Sequence, residues 1–271
     1  MESSSTAAGI LDVALPTHCH LDECGLPIDI ILQTSDGAFL AAHTKNLEAY
    51  SSGFPPAAFT SAHTSINPEI VELPERKDVL MLLLQYMHHH RQPDSAKFPF
   101  DVLNRLAEAV EKYIVFSGME NVHTAIPNHP LAVFMYGVKH DYLDLADMAA
   151  SRTVALPLDQ VRKYLATRPD ALFAWVQYRE YWMKILLFAL QDPPVAMHRG
   201  SINECNSWAD YHRRTLQDLS GGLLFLRDID NFLNKYDYKI KDCSYCQTRV
   251  TSWKGMFNKR IAEIPKFSSL L

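Results

Sequence analysis

The 271-residue chain lacks a strong excess of charge of either sign, and it is poor in glycine and cysteine. Its formal net charge is −5, so it has no broad positive field of the kind that sequence-independent nucleic-acid binding requires. Its 10 glycines are few enough to favour helices over a sheet-rich architecture. Its five cysteines are an odd number, which fits a reducing compartment better than a disulfide framework.

The chain also lacks a long apolar run free of charge. The most apolar segment, 171–190, is interrupted by Arg179, Glu180 and Lys184, so we interpret it as a buried core helix with one narrow polar stripe. The first 25 residues have no basic region ahead of a long apolar stretch, so they do not form a secretory signal. We therefore expect an intracellular protein of the cytoplasm, the nucleus or both, without a membrane partner.

Motifs that carry catalytic chemistry are missing from the sequence. There is no GxSxG elbow, no GxGxxG after a strand, no GxxxxGK[ST] loop and no HExxH helix. We expect no catalytic residue, no bound organic cofactor and no enzyme activity. Asp29 and His43 are interpreted as a buried, hydrogen-bonded structural pair.

An alternating apolar segment near the N-terminus, residues 28–33, predicts a β-strand. Asp36-Gly37 accepts positive φ, so the chain is expected to turn back there through a second strand. A short helix should begin after His43. A third strand at 70–73 and an apolar helix at 79–87 follow in the pattern.

These residues resemble a BTB/POZ domain. The likeness lies in Asp29 before an apolar strand, Asp36-Gly37, Phe39, Ala42-His43, Leu47, Ser51-Ser52 and Phe54. It continues in IVELPERKDVLMLLLQYMHHH (70–90), which is similar to the family's third strand and following helix, and in VLNRLAEAVEKYIVFSG (102–118), which is similar to its late helices. The resemblance implies an α+β fold for residues 26–125, with a three-stranded sheet and helices.

The same resemblance implies what the chain does. It implies protein–protein association, with a homodimer formed through the first domain, and service as a substrate adaptor for a cullin-type ubiquitin ligase whose client is recruited by the rest of the chain. A transcriptional or chromatin scaffold without direct DNA binding stays open as an alternative, since no basic DNA-reading module is present. A thiol- or zinc-dependent enzyme is a further alternative that rests only on Cys243 and Cys246.

The second half of the chain has a purely helical pattern. Pro127, Asn128 and Pro130 disfavour a continuous helix and predict a domain boundary. The segment LAVFMYGVKHDYLDLADMAASRTVALPLDQV (131–161) is similar to the BACK-like helices that follow the BTB domain in fungal members of the family. The predicted organisation is a flexible segment over 1–25, a BTB/POZ-like domain over 26–125 and an all-α, BACK-like domain over 130–271.

Metal-ligating residues recur in the helical half. Cys243 and Cys246 are separated by two residues, a spacing that lets two thiolates reach one tetrahedral ion. His198 and Cys205 supply the two further ligands that we predict for a structural zinc site, with His212 as the alternative fourth ligand. Ordinary reduced thiols without a metal stay open as the other interpretation.

Two other clusters of histidine and cysteine have a simpler interpretation. His18, Cys19, His20 and Cys24 form a dense patch of metal-capable side chains, but they do not complete a tetrahedral spacing, so we favour a polar loop with two reduced thiols over a metal site. For the run His88-His89-His90 we favour a cationic helix end near the C-terminal dipole over a metal site, because three adjacent side chains cannot point the same way.

Overall fold

The computed structural model describes residues 15–21, 24–54, 68–94, 97–119, 128–191, 193, 195, 198 and 205–271. The chain divides into two compact units, unit 1 (residues 1–125) and unit 2 (residues 126–271). Most of the segment predicted to be flexible, and the first two residues of unit 2 at the predicted boundary, lie outside the described residues. The mixed α+β class predicted from the sequence is confirmed.

Unit 1 contains a three-stranded sheet in the order β2-β1-β3. Its strands are β1 (Ile30–Gln33), β2 (Phe39–Ala42) and β3 (Glu69–Glu72). β1 and β2 form the predicted antiparallel hairpin, and Gly37 turns it with a φ of 78°. β3 lies parallel to β1 on the other side. The expectation of three strands is therefore confirmed, with β1 in the centre.

Four α-helices complete the described part of unit 1. They are α1 (Thr44–Tyr50), α2 (Lys77–Tyr86), α3 (Phe100–Tyr113) and α4 (Phe116–Met119). α2 is apolar on most faces and forms the middle of the core, where Leu80 and Leu83 are fully buried. α3 buries one face, including Leu106 and Val110, in the same core.

The described residues of unit 2 form helices and no strand. The α-helices are α5 (Pro130–Lys139), α6 (Leu143–Ala150), α7 (Leu158–Tyr164), α8 (Pro169–Ala189), α9 (Asn206–Leu219), α10 (Ile229–Asn234) and α11 (Ser244–Ala262). Short 3₁₀ helices occupy Leu223–Asp228, Asp237–Lys239 and Phe267–Leu270.

The C-terminal 3₁₀ helix closes the first part of unit 2. Phe267 is fully buried, and its ring lies 4.8 Å from that of Phe134 and 6.3 Å from that of Tyr178. Asp147 on α6 accepts two hydrogen bonds from Ser268, from the backbone N–H at 2.8 Å and from Oγ at 2.7 Å. Aromatic packing and a charged acceptor together fix the end of the chain on α6 and α8.

α8 corrects the expectation of a buried helix. Its buried side includes Trp175 and Trp182, but a row of large apolar side chains on the opposite side faces solvent. This α8 row consists of the exposed Phe173, Val176, Leu187 and the C-cap Leu190 together with the half-buried Met183, and Glu180 lies in its middle. The segment is therefore apolar on two faces. One face packs in the core, and the other is exposed to solvent. No helix in the described parts of the chain is long and apolar enough to cross a membrane.

The close packing of α5 on α6 gives a stability prediction. A Cβ at Gly137 would lie 2.8 Å from the backbone nitrogen of Ala146 and 3.1 Å from the carbonyl oxygen of Tyr142. Gly137→Ala should therefore cost about 1–3 kcal/mol of unfolding free energy, because backbone atoms cannot move aside cheaply.

Gly255 supplies the matched control, because it lies inside α11 and a Cβ there meets nothing within 4 Å. Gly255→Ala should stabilise the protein by up to about 1 kcal/mol through its better helix propensity. Chemical denaturation of both variants measures the two changes. Equal effects of the two substitutions would contradict this account of the α5–α6 contact.

Candidate metal centres

All four residues predicted for a zinc site in unit 2 come together. The ligand atoms of His198, Cys205, Cys243 and Cys246 lie within 4.8 Å of one another. The Nε2 atom of His198 is 3.3 Å from Cys243 Sγ and 3.4 Å from Cys246 Sγ. A zinc tetrahedron with Zn–S near 2.3 Å and Zn–N near 2.0 Å has S–N edges of roughly 3.5 Å. The group therefore has the dimensions of a metal site, which we call the unit 2 cluster.

His212, the alternative fourth ligand, does not belong to this cluster. Its ring stacks on Trp208 with centroids 5.6 Å apart, and it meets Trp253 edge-on at 5.6 Å. His212 is therefore part of an aromatic contact between α9 and α11. His198 is the histidine that the structure brings to the cysteines.

Two helix N-termini position the cysteines of the unit 2 cluster. Cys205 is the N-cap of α9 and Cys243 is the N-cap of α11, and both have extended backbone conformations. Cys246 lies in the first turn of α11, so the two-residue spacer brings both thiols to the same end of that helix. Helix N-termini carry partial positive charge and favour thiolates over thiols. Both helices therefore favour the charged ligand form that a metal needs.

The pKa values of Cys205 and Cys246 are shifted in opposite directions within this cluster. Burial opposes ionisation of Cys205, but the N–H of Trp208 and hydrogen bonds from Cys246 and Ser207 outweigh it and lower the pKa of Cys205 to about 7. Burial raises the pKa of Cys246, and the neighbouring Cys243 and Cys205 raise it further. Several thiolates at one point repel each other, and a divalent cation between them would remove that repulsion.

The contacts of His198 also favour a metal over ordinary hydrogen bonds. Two sulfur atoms approach the same Nε2 atom at nearly equal distances. A neutral imidazole has one lone pair in the ring plane, so it accepts one such hydrogen bond well. One ion bound to all three atoms satisfies them together. With four protein ligands the coordination would be complete, as in structural zinc sites.

Unit 1 contains a second group of this kind. The ligand atoms of Cys19, Cys24, His43 and His88 also lie within 4.8 Å of one another. Cys24 Sγ is 3.2 Å from His43 Nε2, and Cys19 Sγ is 3.5 Å from His88 Nε2. We call this group the unit 1 cluster. The two histidines are 19 and 69 residues from the cysteines that they contact, so no local spacing in the sequence indicates it.

Three elements of unit 1 position this cluster. The cysteines come from the segment before β1, which the sequence assigns to a flexible region. His43 is the N-cap of α1 directly after β2, and His88 follows Met87, the C-cap of α2. The cluster therefore brings the segment before β1 together with the end of β2 and the end of α2.

The interpretation of the histidine run as a cationic helix end is wrong for His88. Its side chain is buried, whereas His89 and His90 are exposed. Burial lowers the pKa of His88, which favours the neutral ring. The helix turn therefore separates three adjacent histidines into one interior residue and two surface residues.

The predicted pairing of Asp29 with His43 is also wrong. Asp29 is exposed, and its Oδ1 accepts a hydrogen bond from the backbone N–H of Thr44 at 2.8 Å. His43 is buried, and its Nδ1 is 2.7 Å from the carbonyl oxygen of Pro27. Asp29 therefore contacts the first residue of α1, and His43 contacts the segment before β1.

The two clusters include all five cysteines of the chain, and each contains at least one histidine. Sulfur and imidazole donors in sets of four suit Zn²⁺ among the common metal ions. No protein-family model, curated protein or solved structure matches this chain.

Proposed function

We propose that this chain is a non-catalytic protein–protein interaction protein with a BTB/POZ-type unit 1 that homodimerises. Unit 2 is BACK-like, contains a structural zinc ion and recruits a client protein. The chain then acts as a substrate adaptor for a cullin-type ubiquitin ligase. The observation that carries the interaction role is the exposed α8 row.

The α8 row is unusual for a surface that faces only water. Phe173 is 64% exposed, Leu187 56% and Leu190 55%. Single exposed apolar residues are ordinary, but several of them on one side of a helix of 21 residues are typical of an interaction surface. The row follows the alternating three- and four-residue steps of a coiled-coil seam, so the partner that fits it is an amphipathic helix of the client.

The arrangement of unit 1 supports the BTB/POZ assignment. A β-hairpin leads into a short helix, the third strand pairs parallel to the first, and a buried helix follows it. These are the elements that the sequence resemblance implies, in the same order along the chain. Homodimerisation and cullin binding follow from that assignment.

The unit 2 cluster supports a structural role for zinc. One ion would join His198 and the start of α9, which are close in the chain, to the start of α11, which is about forty residues further on. The four ligands leave no open position for a substrate, so the site would hold the helices and perform no reaction. Ligand binding that requires the folded state adds to folding stability.

Light scattering tests the dimer. At tens of micromolar the full chain should have twice the 30.8 kDa mass of one chain. It should also co-elute with a purified cullin scaffold in gel filtration. A monomer mass, together with the absence of a cullin complex, would contradict the proposed BTB-type function.

Substitutions on α8 test client recruitment. Phe173→Asp combined with Leu187→Asp should abolish capture of the client in proximity labelling, because two charges would be buried in an apolar contact. Folding stability should change by less than about 1 kcal/mol in total, since both side chains are exposed.

Tyr181→Asp is the matched control, because Tyr181 is an exposed aromatic residue of α8 that lies off the α8 row. This variant should keep the same partners as the wild type. Cullin binding should be intact in all three proteins, since it belongs to unit 1. Loss of the same partners in the Tyr181→Asp variant would contradict recruitment through the α8 row.

Removal of a ligand tests the zinc ion of unit 2. Cys246→Ser should lose one zinc ion per chain and lower the melting temperature of unit 2, because occupancy at 100 times the dissociation constant contributes about 2.7 kcal/mol. Elemental analysis and calorimetry of protein without a His tag measure both effects. Ser244→Ala, an exposed position between the two cysteines, should leave both unchanged. Full zinc content in the Cys246→Ser variant would contradict this site.

A further inference from the structure

We propose that Cys19, Cys24, His43 and His88 bind a second structural zinc ion, which fastens the segment before β1 to unit 1. This inference is independent of the client, the cullin and the unit 2 cluster. It rests on four observations about the unit 1 cluster: the convergence of its ligand atoms, the hydrogen bonds of its histidines, its burial, and the structure of the segment that it would hold.

The ligand atoms converge more closely than two separate hydrogen bonds require. Cys24 with His43 and Cys19 with His88 form two thiol–imidazole contacts of 3.2 and 3.5 Å. Such pairs could lie anywhere in the unit, yet all four atoms lie within 4.8 Å of one another. Two sulfurs and two nitrogens at the corners of one tetrahedron have edges of roughly 3.3–3.8 Å at zinc–ligand distances. One central ion accounts for this convergence.

The histidines are oriented as metal ligands. His43 Nδ1 is 2.7 Å from the carbonyl oxygen of Pro27, and His88 Nδ1 is 2.6 Å from that of Leu84. A carbonyl oxygen only accepts, so each Nδ1 must donate, and in a neutral ring each Nε2 then presents its lone pair to the sulfurs. Histidines that bind metals usually donate their other ring N–H to such an acceptor, which fixes the tautomer and the ring direction.

Burial indicates a structural role for the ion. His43 is 2% exposed and His88 6%, while both cysteines are half-buried. The two rings meet edge to face with centroids 5.4 Å apart, so their positions are fixed relative to each other. Four protein ligands in such a setting complete the coordination and exclude substrate.

The segment that carries the cysteines is attached next to β1 by two hydrogen bonds, from His43 to the Pro27 carbonyl and from the Thr44 N–H to Asp29. Its described residues, 15–21 and 24–29, form no helix or strand. Ordering such a segment costs conformational entropy of roughly 1–2 kcal/mol per residue. Two thiolate–zinc bonds would offset that cost, because His43 and His88 would hold the same ion on unit 1. The ion would therefore extend this attachment from the residues next to β1 to Cys19 and Cys24.

Zinc content of the full chain tests the site. Wild type should contain two zinc ions per chain, and Cys19→Ala combined with Cys24→Ala should contain one. His88→Ala should also lose one ion. His89→Ala is the control and should keep both, because His89 is the exposed neighbour of His88. If the double cysteine variant and His88→Ala keep as much zinc as wild type and His89→Ala, the proposal is wrong.

The same design separates this site from the unit 2 cluster. Cys246→Ser removes the ion of unit 2. The zinc that remains in this variant should be lost when Cys19 and Cys24 are also replaced. Failure of the unit 2 site alone would leave one ion per wild-type chain that the Cys19 and Cys24 substitutions abolish. That outcome would still support the unit 1 site.

Thiol alkylation of wild type provides a measurement that does not depend on a variant folding. Zinc-bound thiolates react slowly, so iodoacetamide should modify Cys19 and Cys24 at least about tenfold faster after a chelator is added than in the zinc-loaded protein. Mass spectrometry assigns the rate to each cysteine. Equal rates with and without zinc, or a disulfide between Cys19 and Cys24 in freshly purified protein, would overturn the proposal.

Discussion

In each unit, sulfur and imidazole donors from separate parts of the chain meet in one cluster. The ends of several helices lie at these clusters. In unit 2 the N-termini of α9 and α11 meet at Cys205 and Cys243. Thiolates at these ends are favoured by the helix dipoles, but they repel one another. A cation bound to these sulfurs would stabilise the thiolates further and would remove the repulsion between them.

In unit 1 the same chemistry has a different origin. Its histidines lie where β2 passes into α1 and where α2 ends, and each ring is fixed by a backbone carbonyl of unit 1 itself. The carbonyl that orients His88 belongs to Leu84 of α2, whereas the carbonyl that orients His43 belongs to Pro27, in the same irregular segment as the cysteines. A metal at this point would link the β2–α1 junction and the end of α2 to Cys19 and Cys24, so its binding energy would act on the segment before β1.

The interaction surface and the clusters draw on different parts of the molecule. The α8 row is apolar and exposed, while the cysteines of unit 2 stand at the N-termini of α9 and α11. Structural ions of this kind keep the helices of a small unit fixed without using its surface. In the proposed adaptor, unit 2 could then hold a client on α8 while its core is held by zinc and by contacts such as that of Phe267 with Phe134.

The sequence by itself determined the features that depend on neighbours along the chain. The hairpin through Gly37 follows from a local φ preference, and the buried face of α3 follows from a helical repeat. The unit 2 cluster could also be predicted, because Cys243 and Cys246 are close in the sequence and a tetrahedral site needs only two more ligands. What the sequence could not decide was which face of α8 is covered, since an apolar repeat is the same for a core contact and for an exposed row.

Only the tertiary structure decided the unit 1 cluster. His88 is chemically the same residue as His89, and the direction of the chain after α2 alone makes one of them interior. Cys19 and His88 are 69 residues apart, so their contact depends on how the segment before β1 lies against α2. Coordination geometry is a relation between atoms in space. A sequence reveals it when the ligands share a turn of helix, and the fold reveals it when they do not.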